Sequence, residues 1–132
     1  MIAVSEFNRR FRALVLGGVG PGLPRRDQDR HILLKAVVLG IAGELPCSER
    51  DLGQALRRWL AAAGPRVDLD PVSLRRALVD FGYLRRDPAG RTYERCDSGA
   101  AQFAPAVAAL DPLEAMAGVR EQLLSKARSR GR

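Results

Sequence analysis

Six arginines, Arg75, Arg76, Arg85, Arg86, Arg91 and Arg95, crowd the stretch from residue 71 to 95, where the acids are Asp80, Asp87 and Glu94. A guanidinium is a planar fork of donors that stays charged at physiological pH and matches either a guanine edge or a phosphate. The chemistry this pattern could do is recognition of a polyanion, with duplex DNA the first candidate. Solvated faces carrying local Arg–Asp pairs would give the same composition without a ligand. The elements that carry the arginines must therefore decide.

Other chemistry finds little material. His31 is the single histidine, so neither a multi-histidine metal site nor a His/Cys zinc cluster can be assembled. Cys47 and Cys96 lack metal-type spacing, and no local motif pairs either with His31 as a nucleophile. Most acids fall at helix starts and turns, where capping accounts for them. Gly17–Pro24 is glycine-rich but lacks the Gly-Lys-Ser/Thr ending of a phosphate loop, and reads as a flexible connector. The expectation is no enzyme, no catalytic residue, no metal, no cofactor and no small-molecule substrate.

Helical spacing sets the frame. Asn8–Arg12 followed by Ala13–Leu16 has the outline of a twin-arginine signal, but the apolar stretch stops at Gly17-Gly18 without a cleavage motif. Phe7, Phe11 and Leu14 instead predict an amphipathic helix over 4–15, capped by Ser5. A second helix over 26–41 places Ile32, Leu33, Ala36, Val37 and Ile41 on one stripe, flanked by Arg30 and Lys35. Ser48–Asp51 resembles a capping box, and Leu52, Ala55, Leu56, Trp59, Leu60 and Ala63 continue the third helix to Gly64-Pro65.

Asp70-Pro71 opens the helix that would carry Arg75 and Arg76, a capping acid followed by proline at the first helical position. Its buried stripe would be Leu74, Ala77, Leu78 and Phe81; the opposite face carries Val72, Arg75, Arg76 and Val79. Tyr83–Arg86 and Arg91–Arg95 around Asp87-Pro88-Ala89-Gly90 read as a two-stranded hairpin holding the other four arginines. The order helix, helix, helix, hairpin is that of a winged helix-turn-helix domain, with the last helix as reader and the hairpin as wing. The connection Ala63–Asp70 is longer than the usual turn. Asp97–Leu110 suggests one short helix broken by Pro105, and Asp111-Pro112 starts a final helix to about residue 127. Its stripe, Leu113, Met116, Ala117, Leu123, Leu124 and Ala127, suits packing within the chain or a homodimer seam.

The chain of 132 residues thus divides into an N-terminal helix and connector (1–25), a winged-helix-like domain (26–96) and a C-terminal helical extension with a basic tail (97–132). The fold class is mainly α with a small β-hairpin. With 22 basic and 15 acidic residues the net charge is +7, which favours an anionic partner. The longest apolar run, Ile32–Ile41, is interrupted by Lys35 and too short for a bilayer, so no membrane partner is expected. Two cysteines in such a chain fit a reducing, cytoplasmic setting.

Leu23-Pro24-Arg25-Arg26, the run Asp70–Arg86 with its Leu-Arg-Arg-x-Leu-Val-Asp-x-Gly core, and Gly90-Arg91-Thr92-Tyr93 resemble a bacterial domain of unknown function. That domain occurs alone or fused behind ArsR-type helix-turn-helix regulators. The resemblance spans roughly residues 5–96. Where its members carry an acidic entry to the second helix of the domain, this chain has Pro46–Leu52. The resemblance implies a winged-helix-like fold and a link to transcription regulation, and brings no catalytic residues. Two functions follow: a winged-helix protein binding duplex DNA through the six arginines, or a protein-interaction module using Val72, Val79 and the C-terminal helix.

Overall fold

The computed structural model describes residues 1–18, 20–96 and 102–130. The described residues form five α-helices, α1 (Val4–Gly17), α2 (Asp27–Ile41), α3 (Glu49–Ala63), α4 (Pro71–Asp80) and α5 (Pro112–Arg130), and a small sheet of β1 (Cys47–Ser48), β2 (Leu84–Arg86) and β3 (Thr92–Arg95) that packs against α3 and α4. The architecture is mainly helical with an antiparallel sheet in the order β1-β3-β2.

α2 is the axle. Asp29 and every residue from His31 to Val38 are buried, because α1, α3 and α5 all pack on it. The expected single stripe is therefore too narrow: Lys35 does not flank the core but lies within it, its Nζ 5.6 Å from the Phe103 ring centroid. Phe7 and Phe11 stack on the same helix face, and full burial of side chains this size contributes roughly 1.5–3 kcal/mol each. Arg10 fastens α1 to α2 with a two-pronged ion pair to buried Asp29, at 2.9 and 2.7 Å. That carboxylate holds the Arg10 guanidinium more firmly protonated.

Ser5 does not cap α1. The helix begins at Val4, and the backbone before it is held by Ile2, which donates to Gln102 O and accepts from Ala104 N. Those bonds occupy the chain end that a capping side chain would otherwise organise. α3 and α4 start as their sequences predict. Ser48 Oγ accepts from Asp51 N at 3.1 Å, and Asp70 accepts from Ser73 N at 2.8 Å and from Ser73 Oγ at 2.7 Å. Phe81 closes α4 as its C-cap and is half-buried rather than core, its ring under the edge of His31.

The long α3–α4 connection is tied down. Gly22 N donates to Asp68 O at 3.0 Å, so the glycine-rich segment and this loop brace each other, and the segment is not a free connector. Gly22 has φ +81°, a left-handed conformation that a side chain rarely adopts.

The sheet corrects one expectation. The hairpin is joined by a third strand, with Cys47 opposite Tyr93 and Ser48 opposite Thr92. Two residues are too short for an alternating pattern to show. The strand nonetheless fixes where α3 begins, since Ser48 is both its last residue and the helix cap.

The segments 1–25, 26–96 and 97–132 share one core that includes Phe7, Leu56, Leu74, Phe103 and Met116. The Asp97–Leu110 helix is, where described, a 3-10 turn at Pro105–Ala109; residues 97–101 lie outside the described residues. In α5, Met116 is buried, Leu113 half-buried, and Ala117, Leu124 and Ala127 exposed. Leu123's side chain and the tail residues 131–132 lie outside the described residues.

Candidate nucleic-acid interface

Tyr93 is the hub that gathers the arginine-bearing elements. It sits on the central strand, 4% exposed, and its hydroxyl donates to Glu49 Oε1 at 3.3 Å. The guanidinium carbons of Arg75, on α4, and Arg86, on β2, each lie 5.9 Å from its ring centroid. Glu49 also takes Arg75 Nη1 at 3.2 Å. One aromatic side chain thus brings the start of α3, the middle of α4 and the hairpin to the same place.

The six arginines do not share one state. Arg75 is held by Glu49 and Tyr93, with its side chain 23% exposed. Arg85 is paired across the hairpin with Glu94, Nε to Oε1 2.8 Å, which keeps the guanidinium firmly charged. Arg86 donates to Gly90 O through Nη2 at 3.2 Å. Arg76, Arg91 and Arg95 are exposed and form no side-chain ion pair among the described residues.

The pairing register explains the split. Partners across an antiparallel ladder share a face, so Arg86 with Tyr93 and Leu84 with Arg95 lie on one side, and Arg85 with Glu94 on the other. Arg85 therefore points away from the hub. Arg91 stands beside the hairpin tip, where Asp87 accepts from Arg91 N at 3.0 Å and from Thr92 Oγ1 at 3.1 Å. The Arg91 amide is the main reason the Asp87 carboxyl lies below its usual range.

On α4, Val72, Arg76 and Val79 form the exposed stripe, with Val72 45% and Val79 37% accessible. They recur at i, i+4 and i+7, opposite buried Leu74, Ala77 and Leu78. Between α3 and α4 runs a groove of about 200 Å³, lined in part by Arg50, Gly53, Arg57, Val72 and Arg75. Arg50 and Arg57 line this groove but were not among the candidates that the sequence offered. Their signal was present, one helical turn on either side of Gly53, but α3 stood out for its buried stripe.

Residues 22–95 match a family profile described as an uncharacterized protein conserved in bacteria (DUF2087). The chain belongs to this family. The DUF2087 span runs from the glycine-rich segment to the end of β3, so it contains the groove, the α4 stripe and the hairpin, while α1 and α5 fall outside it. No curated protein and no solved structure matches the chain.

His31 Nδ1 lies 2.7 Å from the Tyr83 hydroxyl, whose pKa is pushed up by burial first and by the charge of Asp27 second. Cys47 and Cys96 are not joined in a disulfide, and burial, followed by Asp51 and Glu44, pushes the Cys47 thiol up, away from nucleophilic thiolate. Among the described residues no group of three metal-ligating side chains converges, and no helix is long and apolar enough to cross a membrane.

Proposed function

We propose that this protein is a winged-helix DNA-binding protein acting in bacterial transcription regulation, with α4 as the reading helix and the β2–β3 hairpin as the wing. The supporting observation is the Tyr93 hub, which sets the Arg75 side of α4 against the Arg86 side of the hairpin. The run α2, β1, α3, α4, β2, β3 with sheet order β1-β3-β2 is the arrangement such a domain needs. The resemblance to domains fused behind ArsR-type regulators points the same way and to a cytoplasmic location.

In this reading Arg76 addresses a base edge. Val72 and Val79 supply the apolar contacts that a thymine methyl favours. Arg86, Arg91 and Arg95 hold the backbone. These three phosphate contacts by themselves contribute about −2.7 to the salt slope, a factor of roughly 40 in affinity between 50 and 200 mM salt. Titration of labelled duplexes tests this: Arg91→Glu flattens the slope on every sequence, and Arg76→Ala costs about 1–3 kcal/mol at one base pair. Absence of binding at 50 mM salt on random and genomic duplexes alike would remove the reading.

The exposure of Val72 and Val79 favours one alternative, a protein-interaction module. Its binding would depend weakly on salt and fall on Val72→Ser or Val79→Ser rather than on Arg91→Glu. A homodimer through the distal half of α5, where Leu124 is 62% exposed, is the corresponding proposal for self-association, and sedimentation of the full chain tests it.

A further inference from the structure

The floor of the α3–α4 groove carries a residue that folding does not explain. Gly53 lies in the interior of α3, where glycine is a poor helix former. A Cβ built there would meet nothing within 4 Å. No side chain among the described residues needs the space. Arg50 and Arg57 stand about one turn to either side, and at 100° per residue the three fall within about 60° of helix surface. Both arginines are exposed and form no ion pair among the described residues. Glu49 lines the same groove, and its Oε1 is engaged by Arg75 at 3.2 Å and by the Tyr93 hydroxyl at 3.3 Å, so that Arg75 offsets its charge. The groove therefore offers two uncommitted guanidinium groups around a bare stretch of helix.

We infer that this groove seats the sugar-phosphate backbone of a nucleic acid, with Arg50 and Arg57 gripping phosphates and Gly53 letting the strand lie against the helix. The inference rests on the DNA-binding reading and adds a second contact surface to it. Without a Cβ, the α3 surface at Gly53 is flat enough for a backbone to approach closely. The contacts are with phosphate alone, so they position the protein and carry no sequence information. Gly118 on α5 is the internal contrast. It is equally open, yet Glu114 and Glu121 lie one turn either side of it, an unfavourable setting for a polyanion.

Two kinds of readout separate this role from a structural one. Gly53→Ala and Gly118→Ala should each raise the melting temperature, because alanine is the better helix former. Only Gly53→Ala should weaken binding of a labelled random-sequence DNA duplex, by about tenfold, because the added methyl holds the strand away from one charge-assisted arginine–phosphate hydrogen bond. Arg50→Gln and Arg57→Gln should each make the salt slope shallower by about 0.9, from about −4.5 for five phosphate contacts in the parent. If the parent binds and Arg91→Glu weakens it, while Gly53→Ala, Arg50→Gln and Arg57→Gln leave affinity and slope unchanged, the groove is not a backbone seat and the hairpin reading stands. If the parent does not bind the duplex at 50 mM salt, both the seat and the DNA-binding reading fall.

Discussion

The two flanks of α3 meet opposite environments. On one, Trp59 is 3% exposed and pressed so closely on α2 that a Cβ at Gly40 would lie 2.7 Å from its Cδ1. On the other, Gly53 faces an open groove between Arg50 and Arg57, which form no ion pair among the described residues. Both glycines stand in helices, where the residue is unfavourable. The first is explained by a neighbour inside the molecule, since any larger residue would displace the indole. The second has no such neighbour. The difference separates a residue that packing explains from one for which we propose a partner.

The largest way to break this comparison is to remove what sits on the packed flank. Trp59→Ala should destabilise by roughly 3–5 kcal/mol, measured by chemical denaturation. A loss under about 1 kcal/mol would mean that the indole is not a core element. Next comes Gly40→Ala. Overpacking against Trp59 costs roughly 1–3 kcal/mol and alanine's helix preference returns about 1, leaving a net loss near 1 kcal/mol. Gly53→Ala, the same substitution on the open flank, should instead stabilise by about 0.5–1 kcal/mol. Equal signs at the two positions would erase the distinction between the flanks.

A smaller effect concerns the hairpin tip. The Asp87 carboxyl lies below its usual range, chiefly because it accepts from the Arg91 amide. A depressed carboxyl contributes its full stabilisation above the unfolded carboxyl range, near pH 4, and loses it as pH falls through the folded value. Amide NMR shifts at Gly90 and Arg91 should therefore move below about pH 4, and Asp87→Asn should abolish that movement. Shifts that stay constant through the acid range would detach the tip from Asp87.

Much of this was legible in the sequence because it depends on local patterns. Ser48 and Asp70-Pro71 announced α3 and α4, and helical spacing identified Leu52, Leu56, Leu74 and Leu78 as core. Phe81 and the 3-10 turn at Pro105–Ala109 departed from local expectation, and the other failures are long-range. The two-residue β1 has no period of its own and exists only because β3 pairs with it. Lys35 is buried because Phe103, far along the chain, covers it. The arginines could be counted from the sequence, but their commitments could not. Arg75 is held by Glu49 and Arg85 by Glu94, whereas nearby Arg76 is left free. Tyr93 read as one aromatic in a strand, and only the tertiary structure makes it the junction of two helices and a hairpin.

The central claim is that the α4, hairpin and groove arginines together form one surface for duplex DNA. The most direct test is the salt dependence of binding to a random-sequence duplex, measured for the full chain between 50 and 200 mM. Five phosphate contacts predict a slope of about −4.5, a loss of roughly 500-fold across that range. A slope near zero, or no binding at 50 mM, would contradict the account.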